Sequence, residues 1–406
     1  PRPDSQAEPF SVTTDVATTP WNSDTRLLRI GLRGYDVATD VRPRANLVFL
    51  VDVSGSMDEP DKLPLVKAAL ERLADRLRAD DRVSIVVYAG NAGLVLAPTA
   101  NKTYVKAALD CLQAGGSTAG GEGIKLAYDT ARANFIKGGI NRIFLATDGD
   151  FNVGVSDTKV LEALVKSNRD DGITLTTLGF GDGNYNDAMM EHIADVGNGN
   201  YAYIDSDREA EKVLDDELSA TMVTIAKDVK VQVEFNPAAV KQYRLIGYEN
   251  RALAEEDFDN DAVDAGDMGA GHQVTALYEI VPAARAGWLP DRRYPANAGP
   301  EAPKPVGPAG ELCFVKLRYK LPEGGPSKLI SRPVPASMLA AATAPRGDMA
   351  FVTAVAAFGQ KLRGDKYLGN YSFADIQRLA GDPQGPWRQE FVRMTNMAAT
   401  RKPSGG

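Results

Sequence analysis

The sequence predicts an α/β protein: a doubly wound, mostly parallel sheet inserted in a β-sandwich, with a C-terminal helical segment. Three observations predict it. Between residues 46 and 227, short apolar runs alternate with amphipathic helical patterns, the rhythm of a parallel sheet covered by helices. After Lys227 the apolar period falls to two, as in strands with one buried face. Residues 47–51 are apolar without a break, which suits a strand buried on both faces, and the run then ends in Asp52-x-Ser54-x-Ser56.

At 406 residues the chain is long enough for two or three domains. Its 44% hydrophobic content supports packed cores, and the net charge of −8 argues against nucleic acid, whose phosphates select clustered Lys and Arg. No apolar run reaches the roughly 18 residues of a membrane span, so none is expected. The opening PRPDSQAEPF is polar, proline-containing and unlike a signal peptide. It is expected to be a cut end or a linker, with the natural protein continuing upstream. Cys111 and Cys313 sit in patterns that suggest burial; two inert thiols are expected, with a disulfide as the alternative.

Taken in order, residues 1–9 are expected to be disordered or linker. Phe10, Val12, Thr14 and Val16 alternate, as do Leu28, Ile30 and Leu32, so both stretches read as half-buried strands. They have no place in a parallel sheet, and residues 10–44 are assigned to the sandwich, with Pro43 at the boundary. Residues 45–227 form the α/β domain. Val66, Leu70, Leu73 and Leu77 share one helix face, with Pro64 tolerated in its first turn. Further strands are expected at 83–88, 94–96, 143–147, 173–179 and 201–204, and helices at 104–112, 124–135, 160–165 and 188–196. A long last helix is expected from Asp207 to about Lys227.

Residues 228–340 read as the β-sandwich. Val229, Val231, Val233 and Phe235 alternate, as do Cys313, Val315, Leu317 and Tyr319, and 274–281 is a further strand. Residues 285–310, rich in Pro, Gly and Ala, read as a long exposed loop. Residues 341–402 are helical. The segment 349–362 is apolar almost all round and is expected to be buried, with Asp348 capping its start and Gly364 its end. Ser372-x-x-Asp375 spells a capping box, Gly381 closes that helix, and 387–399 form the last one.

The chemistry concentrates at strand ends, where open α/β sheets bind ligands. Asp52, Ser54 and Ser56 offer oxygens at alternate positions, with Gly55 allowing a tight turn, and hydroxyls and carboxylates are hard ligands suited to a small hard cation. Thr118 stands in a glycine-rich loop before a helix, and Asp148 ends the apolar run 143–146. Glu122 and Asp150 lie close by in sequence. Either could stand near the cation or fill its open position, although Glu122 reads better as a favourable charge at a helix start.

The set Asp52, Ser54, Ser56, Thr118 and Asp148 resembles the metal-ion-dependent adhesion site of von Willebrand factor type A domains, whose fold is Rossmann-like, with all five family positions filled. Segments such as ANLVFLVDVSGSM, AGGSTAGGEGIKLAY, LATDGDFNVGV and YRLIGYENR extend the likeness to the bacterial YfbK-like family, over roughly residues 10–400. The resemblance implies Mg²⁺ as cofactor, with Mn²⁺ and Ca²⁺ as alternatives. It implies that Thr118 binds the metal directly in the ligand-bound state, while Asp52 and Asp148 act directly or through water. It also implies a protein partner whose Asp or Glu carboxylate completes the coordination. A bacterial envelope location, periplasmic or lipid-anchored through a segment absent here, follows from the same likeness. Related domains shift their last helix on binding, so the 207–227 helix is expected to relay occupancy to the sandwich.

The resulting expectation is a non-enzymatic, metal-dependent protein-binding module without a small-molecule cofactor. The alternatives are a metal-assisted hydrolase with Asp150 or Glu122 as base, and a structural protein whose metal only stabilises the fold. Other signals are weaker. Asp257, Asp259, Asp261, Asp264 and Asp267 form an acidic loop, but Ala262 and Met268 stand where a calcium loop needs Gly and Glu, so a solvated loop is expected. Two RGD tripeptides, at Arg346 and Arg363, coincide with expected helix caps. GFGDGN lacks the third glycine of a dinucleotide loop, and His192 and His272 lack an identifiable nucleophile partner.

Overall fold

The computed structural model describes residues 3, 8–37, 42–116, 120–149, 158–181, 187–217, 223–248, 253–261, 263, 265–289, 310–382 and 384–400. Two strands open it, β1 (Phe10–Thr18) and β2 (Arg26–Gly34), paired antiparallel. The chain then enters an alternating stretch of strands β3 (Ala45–Asp52), β4 (Arg82–Tyr88), β5 (Ala92–Thr99), β6 (Ile140–Thr147), β7 (Thr174–Phe180) and β8 (Tyr201–Ile204). Between them lie helices α1 (Leu63–Asp75), α2 (Lys102–Asp110), α3 (Gly120–Ala133), α4 (Thr158–Asp170) and α5 (Asp187–Val196). The backbone divides into two units: Asp36–Lys227 with Gly266–His272, and Pro1–Tyr35 with Asp228–Ala265 and Gln273–Gly406.

In the first of these units the sheet order is β5-β4-β3-β6-β7-β8, all parallel except the β5 edge. All eight residues of β3 are buried, as its apolar run requires. Alternate residues serve opposite faces. Leu47, Phe49 and Val51 pack with α1 and α2, whereas Val48 and Leu50 pack with α3, α4 and α5. The sheet is therefore doubly wound, as expected. Its order runs one way from β3 through β4 and the other way from β6 through β7. The reversal falls between the neighbours β3 and β6, and their carboxyl ends are where such folds open a crevice.

One expected element is absent. After Ile204 the helix α6 (Asp207–Glu211) gives way to a π-helical turn, Lys212–Glu217, and β9 (Thr224–Phe235) has begun by Thr224. Residues 218–222 lie outside the described residues. The strand starts earlier than Val229, with the adjacent residues Ile225 and Ala226 both buried, and strand pairing overrides helix propensity there. The expected long helix from Asp207 to about Lys227 is thus corrected.

The other unit contains two antiparallel sheets. One has the order β1-β2-β12-β10, with β10 at Val240–Leu245 and β12 at Gln273–Pro282. The other joins β9 to β13 (Glu311–Lys320) and β14 (Lys328–Pro335); the two-residue β11 (Met268–Gly269) and the residues it pairs with at the start of β9, Thr224 and Ala226, belong to the first unit. Aromatic side chains connect strands of the two sheets: Phe10 meets Tyr319 edge-on at 5.2 Å, and Phe235 stacks on Tyr243 at 4.2 Å. Residues 290–309, most of the expected long loop, lie outside the described residues, as do most of residues 1–9.

Four helices follow: α7 (Ser337–Ala341), α8 (Gly347–Arg363), α9 (Phe373–Ala380) and α10 (Pro386–Thr400). Gly364 takes the left-handed conformation that ends α8, and the Ser372–Asp375 capping box opens α9. Asp348, however, is not the cap of α8. The helix begins one residue before it, and its carboxylate pairs with Arg388 instead. Nor is α8 buried all round. Met349, Val352 and Ala356 pack with Ala17, Leu27 and Leu277, and Ala354 and Ala357 pack with Ile376 and Phe391, but Val355 and Leu362 lie outside both clusters and are exposed. Arg244 ties this layer to the strands. It donates to Glu279, Asp365 and Gln360, and its guanidinium lies over the Tyr367 ring at 4.4 Å.

Candidate metal centre

Asp52 closes β3 with its side chain fully buried. The backbone N–H of Ser54 donates to its Oδ1 at 2.9 Å, and the Thr147 hydroxyl, from the end of β6, donates to Oδ2 at 3.2 Å. The same Thr147 Oγ1 accepts from the N–H of Gly149 at 3.2 Å, so the ends of β3 and β6 are joined around one carboxylate. Beyond Asp52 the chain turns through a 3₁₀ segment, Gly55–Asp58, anchored by fully buried Met57. That turn brings the hydroxyls of Ser54 and Ser56 within 3.1 Å of each other. Two hydroxyl oxygens this close, at the rim of a buried carboxylate, suit adjacent positions in the coordination shell of a hard cation.

The loop from α2 is tied to this turn. Gly115 donates its N–H to the Val53 carbonyl at 2.8 Å, and Gly55 donates to the Gly116 carbonyl at 3.1 Å. The glycines that the local geometry needs are Gly116, at φ +88°, and Gly149, at φ +89°, rather than Gly55, which has no positive φ. Thr118 follows directly in this loop, but it lies outside the described residues, as does Asp150. Glu122 is exposed in the first turn of α3, the place where a carboxylate offsets the helix's positive end.

Asp148 follows β6 and is largely buried. Its charge is felt at Asp52. Burial raises the Asp52 carboxyl above its ordinary value, hydrogen bonds from Ser54 oppose the rise, and the Asp148 charge adds to it. The buried Tyr88 hydroxyl is pushed well above its ordinary value, first by burial and then by the Asp52 charge. Two carboxylates are therefore held near each other with little water, an arrangement that a cation relieves. Among the described residues, Lys62 brings a cation of the protein's own to this place. Lys62 Nζ donates to Asp148 Oδ2 at 3.1 Å and to the Ser56 carbonyl at 2.8 Å. Nothing in the sequence around Lys62 marks it for this position. The donor set, all hard oxygens at a strand-end crevice, fits a divalent cation of the Mg²⁺ type.

The weaker signals resolve into structure. Lys230, itself buried, donates to the carbonyls of Asp257 and Asn260, while Arg318 pairs with the carboxylates of Asp259 and Asp261. Side-chain cations thus stand where the acidic loop could have used calcium; Asp264 lies outside the described residues. His192 pairs with Glu162 on an exposed flank. Both RGD aspartates are engaged by arginines, Asp348 by Arg388 and Asp365 by Arg244. Cys111, expected to be buried, is exposed: it follows the last turn of α2, past that helix's buried residues Val105 and Leu109. Both cysteines are free, and Cys313 is buried in β13.

Residues 46–217 match the model of the von Willebrand factor type A domain, and residues 220–400 match that described as "Uncharacterized protein YfbK, C-terminal". The chain is 46% identical over 404 residues to the uncharacterized protein YfbK of Escherichia coli (strain K12), covering 98% of this chain and 69% of that protein. An uncharacterized protein of Synechocystis sp. is 36% identical over 187 residues, 46% of this chain and 43% of its own. Among solved structures, a von Willebrand factor type A protein from Catenulispora acidiphila superposes with a TM-score of 0.52 at 17% identity, covering 97% of this chain and 91% of that one. The last likeness is one of fold.

Proposed function

The chain belongs to the YfbK family, a von Willebrand factor type A domain followed by the YfbK C-terminal domain, and from that premise we propose that its interaction face works through a divalent cation. The type A domain is a protein-interaction module. The observation that carries the metal reading is the convergence of Asp52, Ser54, Ser56 and Asp148 at the reversal of the sheet, with burial and the Asp148 charge both disfavouring ionised Asp52. A cation there would be held by the Ser54 and Ser56 hydroxyls, with Asp52 and Asp148 beneath and Thr118 from the neighbouring loop.

Such a cation supplies Lewis acidity toward an outside carboxylate, since few of the protein's own acidic groups face it. This chain's residues do the rest. Asp52 fixes the turn through the Ser54 N–H, Thr147 orients Asp52, and Met57 anchors the loop that presents both hydroxyls. The partner is a protein that offers an Asp or Glu side chain. Mg²⁺ is the favoured metal on donor chemistry, with Mn²⁺ and Ca²⁺ as alternatives. A bacterial envelope location belongs to the same proposal and rests on the family likeness. Among the described residues no helix is long and apolar enough to cross a membrane.

Equilibrium dialysis against Mg²⁺, Mn²⁺ and Ca²⁺, with metal counted in the retained protein, tests the reading. Wild type is expected to retain about one equivalent of at least one of these ions, and Asp52→Ala and Asp148→Ala to retain none. Equal retention by all three proteins would place any bound metal elsewhere and end the proposal.

A further inference from the structure

Lys62 occupies a seat built for it. It precedes α1, and its ammonium spans the Ser56 carbonyl and Asp148 Oδ2. The Lys62 side chain is 14% exposed and that of Asp148 only 6%, so this is not a solvated surface pair. The aliphatic stem runs over Gly181, the residue after β7. A Cβ at that position would come within 2.5 Å of Lys62 Cε and 2.6 Å of its Cγ, so a side chain there would have to displace the stem. Gly181 also has a φ of +79°, which favours glycine, and the Tyr203 hydroxyl of β8 donates to its carbonyl at 2.9 Å. The tether thus rests at the carboxyl end of β7 and delivers one positive charge to Asp148, at the end of β6.

We propose that Lys62 is the specificity-determining residue of this site: a tethered monovalent cation that holds Asp148 and that only a divalent ion displaces. The proposal rests on the metal reading given above. Na⁺ and K⁺ carry the same charge as the ammonium and lack its tether, so they gain no Coulombic advantage by replacing it. A divalent ion does gain one, and binds at the cost of breaking the Lys62–Asp148 pair. Lys62 therefore lowers the affinity for the divalent ion while excluding the monovalent ones. This accounts for a lysine beside a cation site, where simple charge counting would disfavour it.

The test is calorimetric titration of the full chain with Mn²⁺, in Na⁺ and in tetramethylammonium at equal ionic strength. Wild type, Lys62→Gln and Lys62→Arg are compared, with Lys62→Met as a second neutral variant. The neutral variants are expected to bind Mn²⁺ about tenfold more tightly than wild type in tetramethylammonium, and to lose much of that gain in Na⁺. Wild type and Lys62→Arg are expected to be indifferent to the exchange of salts. If wild type binds Mn²⁺ and the neutral variants bind it no more tightly, the role of Lys62 is overturned and the metal reading stands. If neither wild type nor any variant binds Mn²⁺, Mg²⁺ or Ca²⁺, the metal reading falls and this proposal falls with it.

Discussion

Asp81 offers a sharp test of how the α/β unit is held at the end of the sheet opposite the candidate site. Its fully buried carboxylate accepts from the N–H of Ala45 at 2.8 Å, from the N–H of Arg78 at 2.7 Å, and from both terminal nitrogens of Arg42. Ala45 begins β3, so this one side chain fixes the entry of the strand that carries Asp52. Asp81→Ala would leave two backbone N–H groups without their acceptor, each costing about 1–3 kcal/mol if buried. It would also strip a largely buried arginine of its partner. The sum agrees with the ~3–5 kcal/mol typical of breaking a buried pair from one side. For a unit of this size, with roughly 2–4 °C per kcal/mol, the midpoint should fall by about 6–20 °C. Arg42→Ala, which leaves both N–H bonds in place, should cost less than half as much. Circular dichroism melts of the full chain, with the two units' transitions resolved, provide the measurement. A fall of less than about 3 °C for Asp81→Ala would refute the reasoning, since it would mean that water or a neighbour satisfies those groups.

Two further outcomes follow from titratable groups. Hydrogen bonds from Ser372 hold the Asp375 carboxyl down to about 2, below its ordinary 3.8, with Arg378 adding to the effect. A depressed folded value means that its contribution is present above 3.8 and is lost as pH falls from there toward about 2. Protection of the α9 amides against hydrogen exchange, taken relative to the intrinsic exchange rate at each pH, should therefore fall over that window in wild type and depend less on pH in Ser372→Ala; identical profiles would count against the cap. Thiol labelling should separate the cysteines. Exposed Cys111 should react within minutes, whereas burial pushes the Cys313 thiol up to about 12 and should keep it inert until unfolding. Labelling of Cys313 in the native protein at a comparable rate would show that β13 opens readily.

The α/β unit was legible because its strands carry their instructions locally. An unbroken apolar run such as that of β3 has few alternatives to a doubly covered central strand, and a polar triplet at its end marks the strand's carboxyl edge. Elsewhere the signal was non-local. In β10 the residues Lys241, Gln242 and Arg244 interrupt the alternation, and the strand exists because β12 pairs with it. In β14 the prolines Pro333 and Pro335 argue against a strand, yet an edge position tolerates them. The helix from Asp207 does not reach Lys227 because Thr224 to Ala226 are claimed by a sheet. Of the proposed site, Asp52, Ser54, Ser56 and Asp148 were picked out by type and spacing, and the structure puts them at or just beyond the ends of the neighbouring strands β3 and β6. Lys62 was not picked out, since its position depends on Gly181, which the chain reaches only four strands after β3.

Thermal unfolding of wild type and Asp52→Ala, across Mg²⁺, Mn²⁺, Ca²⁺ and chelator, tests the central claim most directly. A ligand bound only by the folded state stabilises it by about 2.7 kcal/mol at a hundredfold excess over Kd. The account predicts a rise in the wild-type midpoint with at least one of the three ions, reversed by chelator and absent in Asp52→Ala. An equal rise in both proteins, or none in either at millimolar metal, would contradict it.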